Sequence, residues 1–114
     1  MKRIVCLVAM ICCCCLLAAG ARAEMPNYDV DAHCKEIASL GGESSQLMLN
    51  ACYKQEQAAY DQLKPTWDQL PAAMRAHCDR IASLGGGGSF LMLNACVDQE
   101  QQAAQQNGSF KFKR

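Results

Sequence analysis

The sequence is first informative through what it lacks. Its longest unbroken apolar run, Ile4 to Ala19, has 16 residues, short of the roughly 20 that a membrane-spanning helix needs. Basic charge is in no surplus, with 11 Lys and Arg against 11 Asp and Glu, so no basic face is offered to nucleic acid. No C-x-x-C motif occurs after residue 23, which removes the usual signature of a thiol-disulfide enzyme. The run GGGGS at Gly85 to Ser89 lacks a Lys-Ser/Thr behind it and a strand before it. It is read as a flexible turn, not a phosphate cradle. No Ser, Lys or second carboxylate converges on either histidine, so no catalytic constellation is assembled and the chain is read as a non-enzyme without a cofactor.

What is present begins with an export signal. Lys2 and Arg3 precede the apolar run, and Ala21-Arg22-Ala23 supplies small residues at the −3 and −1 positions of a signal-peptidase site,. Residues 1–23 are assigned to a signal peptide cleaved after Ala23, and the protein to the periplasm or the secreted fraction. Cleavage removes three basic residues and leaves 8 basic and 11 acidic ones, a net charge of −3. It also removes Cys6 and Cys12 to Cys15, which serve as apolar filler. Cys34, Cys52, Cys78 and Cys96 remain. An even cysteine number in a short exported chain is read as a disulfide framework.

The chain then states one module twice. Residues 30–63 and 74–107, aligned at an offset of 44, share 21 of 34 positions, the mark of a duplicated supersecondary unit. Val30, His33, Cys34, Ile37 and Leu40 recur at helical spacing, and Met74, His77, Cys78, Ile81 and Leu84 repeat them,. Glycine follows at Gly41 and Gly85, where a left-handed residue ends a helix. Ser45 and Ser89 then stand as N-caps before a second helix. Each unit therefore reads as an antiparallel helical hairpin.

The cysteines fit that hairpin. Cys34 lies 7 residues before Gly41 and Cys52 lies 7 after Ser45, with the same counts in the second copy. Two helical turns on each arm bring the two sulfurs level. Of three connectivities, the spacing favours Cys34–Cys52 and Cys78–Cys96. Each bridge closes a loop worth about 3 kcal/mol of chain entropy.

The second helix of each unit is apolar on several sides, which predicts that the hairpins pack as one small four-helix domain. Its centre is expected at Leu47–Cys52 and Leu91–Cys96. The fold class is thus all-α: two tandem disulfide-stapled antiparallel hairpins over 24–64 and 72–107. A Pro/Trp linker at 65–71 joins them, Trp67 fills the gap between them, and a basic-aromatic tail at 108–114 follows.

The duplicated pattern HCxxIA, GG and NxCxxQE resembles that of uncharacterised small exported proteins of Gram-negative bacteria. In the first copy it falls on His33, Cys34, Gly41, Gly42, Asn50, Cys52, Gln55 and Glu56, and in the second on His77, Cys78, Gly85, Gly86, Asn94, Cys96, Gln99 and Glu100. The resemblance covers nearly the whole chain after the signal. It implies a periplasmic setting and brings no activity with it.

Two groups remain as candidate sites. In an antiparallel hairpin His33 meets Gln55 and Glu56, so His33–Glu56 and His77–Glu100 are candidate polar pairs across the helices. His33, Cys34 and Cys52, with their counterparts, would suit copper or zinc if the thiols were free. Disulfide formation competes directly with that alternative, and no metal ligand is assigned. Charge inverts between repeats at Lys35/Asp79, Glu36/Arg80 and Lys54/Asp98, as drift on solvated faces or as bridges between repeats. The tail, with Phe110, Lys111, Phe112, Lys113 and Arg114, supports weak contact with an anionic membrane surface. The function expected is that of an exported non-enzymatic binding or structural module for a protein or envelope component. Periplasmic metal binding is the alternative.

Overall fold

The computed structural model describes residues 22–114; the signal peptide expected over residues 1–23 lies outside them except for its last two residues. Four helices follow: α1 (Val30–Ala38), α2 (Gln46–Leu63), α3 (Ala72–Ala82) and α4 (Phe90–Ser109), with a short 3-10 turn at Trp67–Gln69 between α2 and α3. No strand occurs among the described residues. Disulfides join Cys34 to Cys52 and Cys78 to Cys96, each with Cα atoms 5.5 Å apart. The architecture is the expected all-α pair of stapled hairpins. α1 packs on α2, α3 on α4, and α2 against α4.

The helix starts follow from their caps. Ser45 and Ser89 accept hydrogen bonds from the amides of Met48 and Met92, as N-cap serines do. Asp29 caps α1 by accepting from the amide of Ala32. The helix ends differ from expectation. α1 and α3 stop at Ala38 and Ala82, two residues short of Leu40 and Leu84. The hydroxyls of Ser39 and Ser83 bond back to the carbonyls of Lys35 and Asp79, a local alternative to continuing the helix. Each turn then closes through one bond, from the amide of Ser45 to the Ala38 carbonyl and from Ser89 to Ala82. Leu40 and Leu84 are left 72% and 83% exposed.

The two hairpins do not meet at equivalent positions. Glu56 of α2 touches the start of α4, and farther along Asn94 donates to Gln62, so the two helices run in the same sense. Phe90 is the repeat counterpart of Gln46. The second hairpin is therefore displaced along the first by about ten residues, or roughly 15 Å. This stagger moves the core. Its members are Ala59 and Leu63 of α2, Trp67 and Leu70 of the linker, Cys78 and Ala82 of α3, and Phe90, Leu93 and Val97 of α4. Leu47 and Leu91, expected near the centre, are 82% and 46% exposed. The C-terminal half of α2 packs on the N-terminal half of α4, so the first turn of α2 lies beyond the overlap.

Residues 22–29 form an arm laid over this junction. Trp67, buried in the core, donates its indole N–H to the Glu24 carbonyl at 2.9 Å. The Asp29 amide donates to the Gly87 carbonyl at 2.9 Å, and the Tyr28 hydroxyl to Asp79 at 2.6 Å. The GGGGS run is accordingly more than a flexible turn, because it seats the arm. Gly87 and Gly88 have φ of 85° and 86°. A Cβ on Gly88 would lie 2.5 Å from the Tyr28 ring, and one on Gly87 2.5 Å from the Asp29 carbonyl oxygen. In the first repeat the left-handed residue is Gly42, not Gly41.

Two comparisons test this packing. Leu93→Ala should cost about 2–5 kcal/mol in urea unfolding, because Leu93 is fully buried,, while Leu47→Ala should stay within about 0.5 kcal/mol. Gly88→Ala should lose at least about 1–2 kcal/mol, through left-handed strain and contact with Tyr28. Gly41→Ala, in open space, should match wild type; equal losses at the two glycines would contradict the seat.

Candidate functional site

The junction between repeats is built on one carboxylate. Glu56 is 2% exposed and reaches the N-terminus of α4. Its oxygens accept from the Ser89 hydroxyl at 2.6 Å, the Phe90 amide at 2.5 Å and the Leu91 amide at 3.3 Å. Ser89 in turn accepts from Met92. The first three amides of α4 thus all find acceptors, two of them on the other repeat. A carboxylate at a helix N-terminus also complements the helix dipole. His33 of α1 completes the cluster, with Nε2 3.4 Å from Glu56 Oε1.

The second pair has the same separation and a different setting. His77 Nε2 lies 3.4 Å from Glu100 Oε1, but both side chains are nearly half exposed. Among the described residues, no helix N-terminus approaches Glu100 as α4 approaches Glu56. The charge inversions form no bridge between repeats either. Among the described residues, Lys35 pairs with Asp31 within its own helix at 2.6 Å, and the other two charge contacts are the histidine pairs. All four cysteines among the described residues are bridged. Among the described residues no three His, Cys, Asp or Glu side chains gather into a metal-holding group.

Beside His33 runs an apolar groove in two connected parts. Ile37, Met48, Cys52 and Leu91 line one, about 250 Å³ in volume, and Ile81, Leu84 and Met92 line the other, about 230 Å³; His33 borders both. Met48 and Met92 are each about half exposed. Met48 of α2 and Leu91 of α4 therefore share one hollow, and Met92 lines the other. No family model matches the chain, and no curated protein or solved structure matches it.

Glu56 also lines a second cleft, of about 420 Å³, between the arm and α2, with Tyr28, Tyr53, Tyr60 and Phe90 around it. The Phe90 ring lies 4.7 Å from Tyr28 and 5.0 Å from Tyr60 between centroids. Burial, and then the Asp79 carboxylate at its hydroxyl, hold the Tyr28 phenol above its ordinary pKa. Tyr53 is shifted the same way by its hydrogen bond to Asp31. Sequence reasoning placed His33 and Glu56 on facing helices and Ser89 as a cap, but missed the arm and the approach of Ser89 and Phe90 to Glu56. The available signal was the change from Gln46 to Phe90 at the first helical position of an otherwise repeated segment.

Removing the junction carboxylate should separate the two pairs energetically. Glu56→Ala strands the Ser89 hydroxyl, the buried Phe90 amide and the half-buried Leu91 amide, and should cost about 3–5 kcal/mol,. Glu100→Ala should change stability by at most about 1 kcal/mol. Denaturant titration of the two oxidised variants checks the asymmetry, and equal effects would place the junction elsewhere.

Proposed function

We propose that the protein is an exported, non-enzymatic binding module of the bacterial periplasm that takes an apolar segment of an envelope protein in the groove beside His33. The observation that carries this reading is the uncovered Leu-Met surface. Leu84 is 83% exposed, and Met92, Leu91 and Met48 are 51%, 46% and 44% exposed on the two hollows that His33 borders. Contiguous apolar surface of this kind marks interaction sites in soluble proteins. Methionine lines it on both sides, and its unbranched, polarizable side chain adapts to a partner's shape.

The setting is supported by several features together. Two disulfides belong to an oxidising compartment,. No helix among the described residues is long and apolar enough to cross a membrane. The n-region, apolar run and Ala-Arg-Ala site supply a signal peptide cleaved after Ala23, and the tandem HCxxIA and NxCxxQE pattern resembles that of exported Gram-negative proteins. Metal binding draws no comparable support, since its sulfur ligands are bonded to each other. The tail, with Phe110 and Phe112 70% and 75% exposed, adds a weak contact with an anionic membrane surface.

A photo-crosslinking residue at Met92, introduced into the full chain in intact cells, should give one discrete protein adduct. The same residue at Gln102, exposed on the same helix, should give none. Leu84→Lys should abolish the Met92 adduct while leaving the unfolding midpoint unchanged. Equal labelling from both positions would remove the groove as the binding face.

A further inference from the structure

We propose that the cleft between the N-terminal arm and α2 binds a small organic ammonium ion. The placement of the aromatic residues points there first. All three tyrosines, Tyr28, Tyr53 and Tyr60, line this one hollow together with Phe90, the only phenylalanine outside the tail. Repeat divergence concentrates them. Tyr53 stands against Val97, Tyr60 against Ala104 and Phe90 against Gln46. Core packing accounts for Phe90 and part of Tyr60. It does not account for Tyr53, which lies outside the core cluster and holds its hydroxyl on Asp31.

Charge then selects the ligand class. The lining contains no Lys, Arg or His, and its one ionisable acid is Glu56. Asp31 and Asp79 accept the hydroxyls of Tyr53 and Tyr28, so carboxylates stand behind two of the rings. An anion would meet these acids, while the nearby cations stand outside the lining and are already engaged, Lys35 on Asp31 and Lys64 over Tyr60. A cation meets aromatic rings, whose faces carry partial negative charge, inside a field of the same sign. One ring already shows the preference: the Lys64 ammonium lies 5.6 Å from the Tyr60 centroid. The volume of about 420 Å³ falls within the range of small-ligand sites and admits a tetraalkylammonium group. The arm completes the wall, since Tyr28 is fixed by Asp79 and backed by Gly88. The cleft shares Glu56 with the groove beside His33, but none of its aromatic residues lines that groove, so either assignment stands without the other.

The test compares choline with its uncharged carbon isostere, 3,3-dimethylbutan-1-ol, titrated into the full oxidised chain and followed by tyrosine NMR resonances. Choline should bind saturably, shifting Tyr28, Tyr53 and Tyr60, and the isostere should bind at least about ten-fold more weakly. Tyr53→Leu should weaken choline about ten-fold with an unchanged unfolding midpoint, and Tyr53→Phe, which keeps the ring, should retain affinity within about three-fold. Phosphatidylcholine vesicles distinguish the source. Co-sedimentation that choline competes away assigns a lipid headgroup, whereas choline binding without co-sedimentation assigns a free ion. Equal affinity for choline and the isostere, or no saturable shift with choline, would overturn the proposal.

Discussion

Glu56 holds its carboxylate at the point where α4 begins, and the position of the second hairpin depends on that contact. Taking a carboxylate out of water costs several kcal/mol, so a position 2% exposed is tolerable only when donors surround it. Here the Ser89 hydroxyl, two α4 amides and the His33 ring do so. The contact is directional in a way that hydrophobic packing is not. It fixes the first turn of α4 beside the middle of α2, and the stagger follows. The core of Ala59, Leu63, Phe90 and Leu93 lies where the overlapping halves of the two helices meet. The arm crosses the same junction, with Tyr28 against Phe90.

A staggered, same-sense contact has two open ends, and the chain closes both by substitution. Glu100 is placed to contact a further α4-like N-terminus, and the start of α2 is the surface that would receive a further Glu56. Part of the apolar interface is missing at these ends. Gln46 replaces Phe90, while Ala104 and Asn107 replace Tyr60 and Leu63. Polar outer faces of this kind are what terminal units of repeat arrays require. The polar pair, the caps and the disulfide recur in both units, whereas the bulky apolar residues Tyr60, Leu63 and Phe90 at the junction have Ala104, Asn107 and Gln46 at the matching positions. This is why 21 of 34 aligned positions agree while the two histidine pairs differ so much in burial.

The local structure was legible in the sequence because it is local. Glycine turns, serine caps and seven-residue cysteine spacings specify a hairpin without reference to anything beyond it, and both bridges formed as that spacing favoured. The relation between the hairpins was not legible. Identical segments invite a symmetric centre at Leu47–Cys52 and Leu91–Cys96, and the stagger exposes both leucines instead. Glycine position illustrates the same limit. The GG after Leu40 and the GGGG after Leu84 read as equivalent stops, yet the helices end earlier, at serines. The left-handed glycines sit where the arm approaches in one repeat and where the turn closes in the other. That distinction arises from residues 22–29, whose docking partner lies some sixty positions away along the chain.

The disulfides bear on function through what they make unnecessary. In a chain this short the apolar surface available for burial is limited, and small domains are marginal without staples. Each bridge removes unfolded-state entropy worth about 3 kcal/mol without requiring any further side chain to leave water. The hairpins are therefore held closed whether or not their outer faces are covered. Leu47, Leu84, Met48 and Met92 can stay exposed at a junction whose geometry is set by Glu56 and whose closure is set by sulfur. A core stabilised only by apolar burial would have drawn those residues inward, at about 25 cal/mol per Å². Their exposure is thus compatible with a folded, stapled protein, and it leaves an apolar surface open in an oxidising compartment.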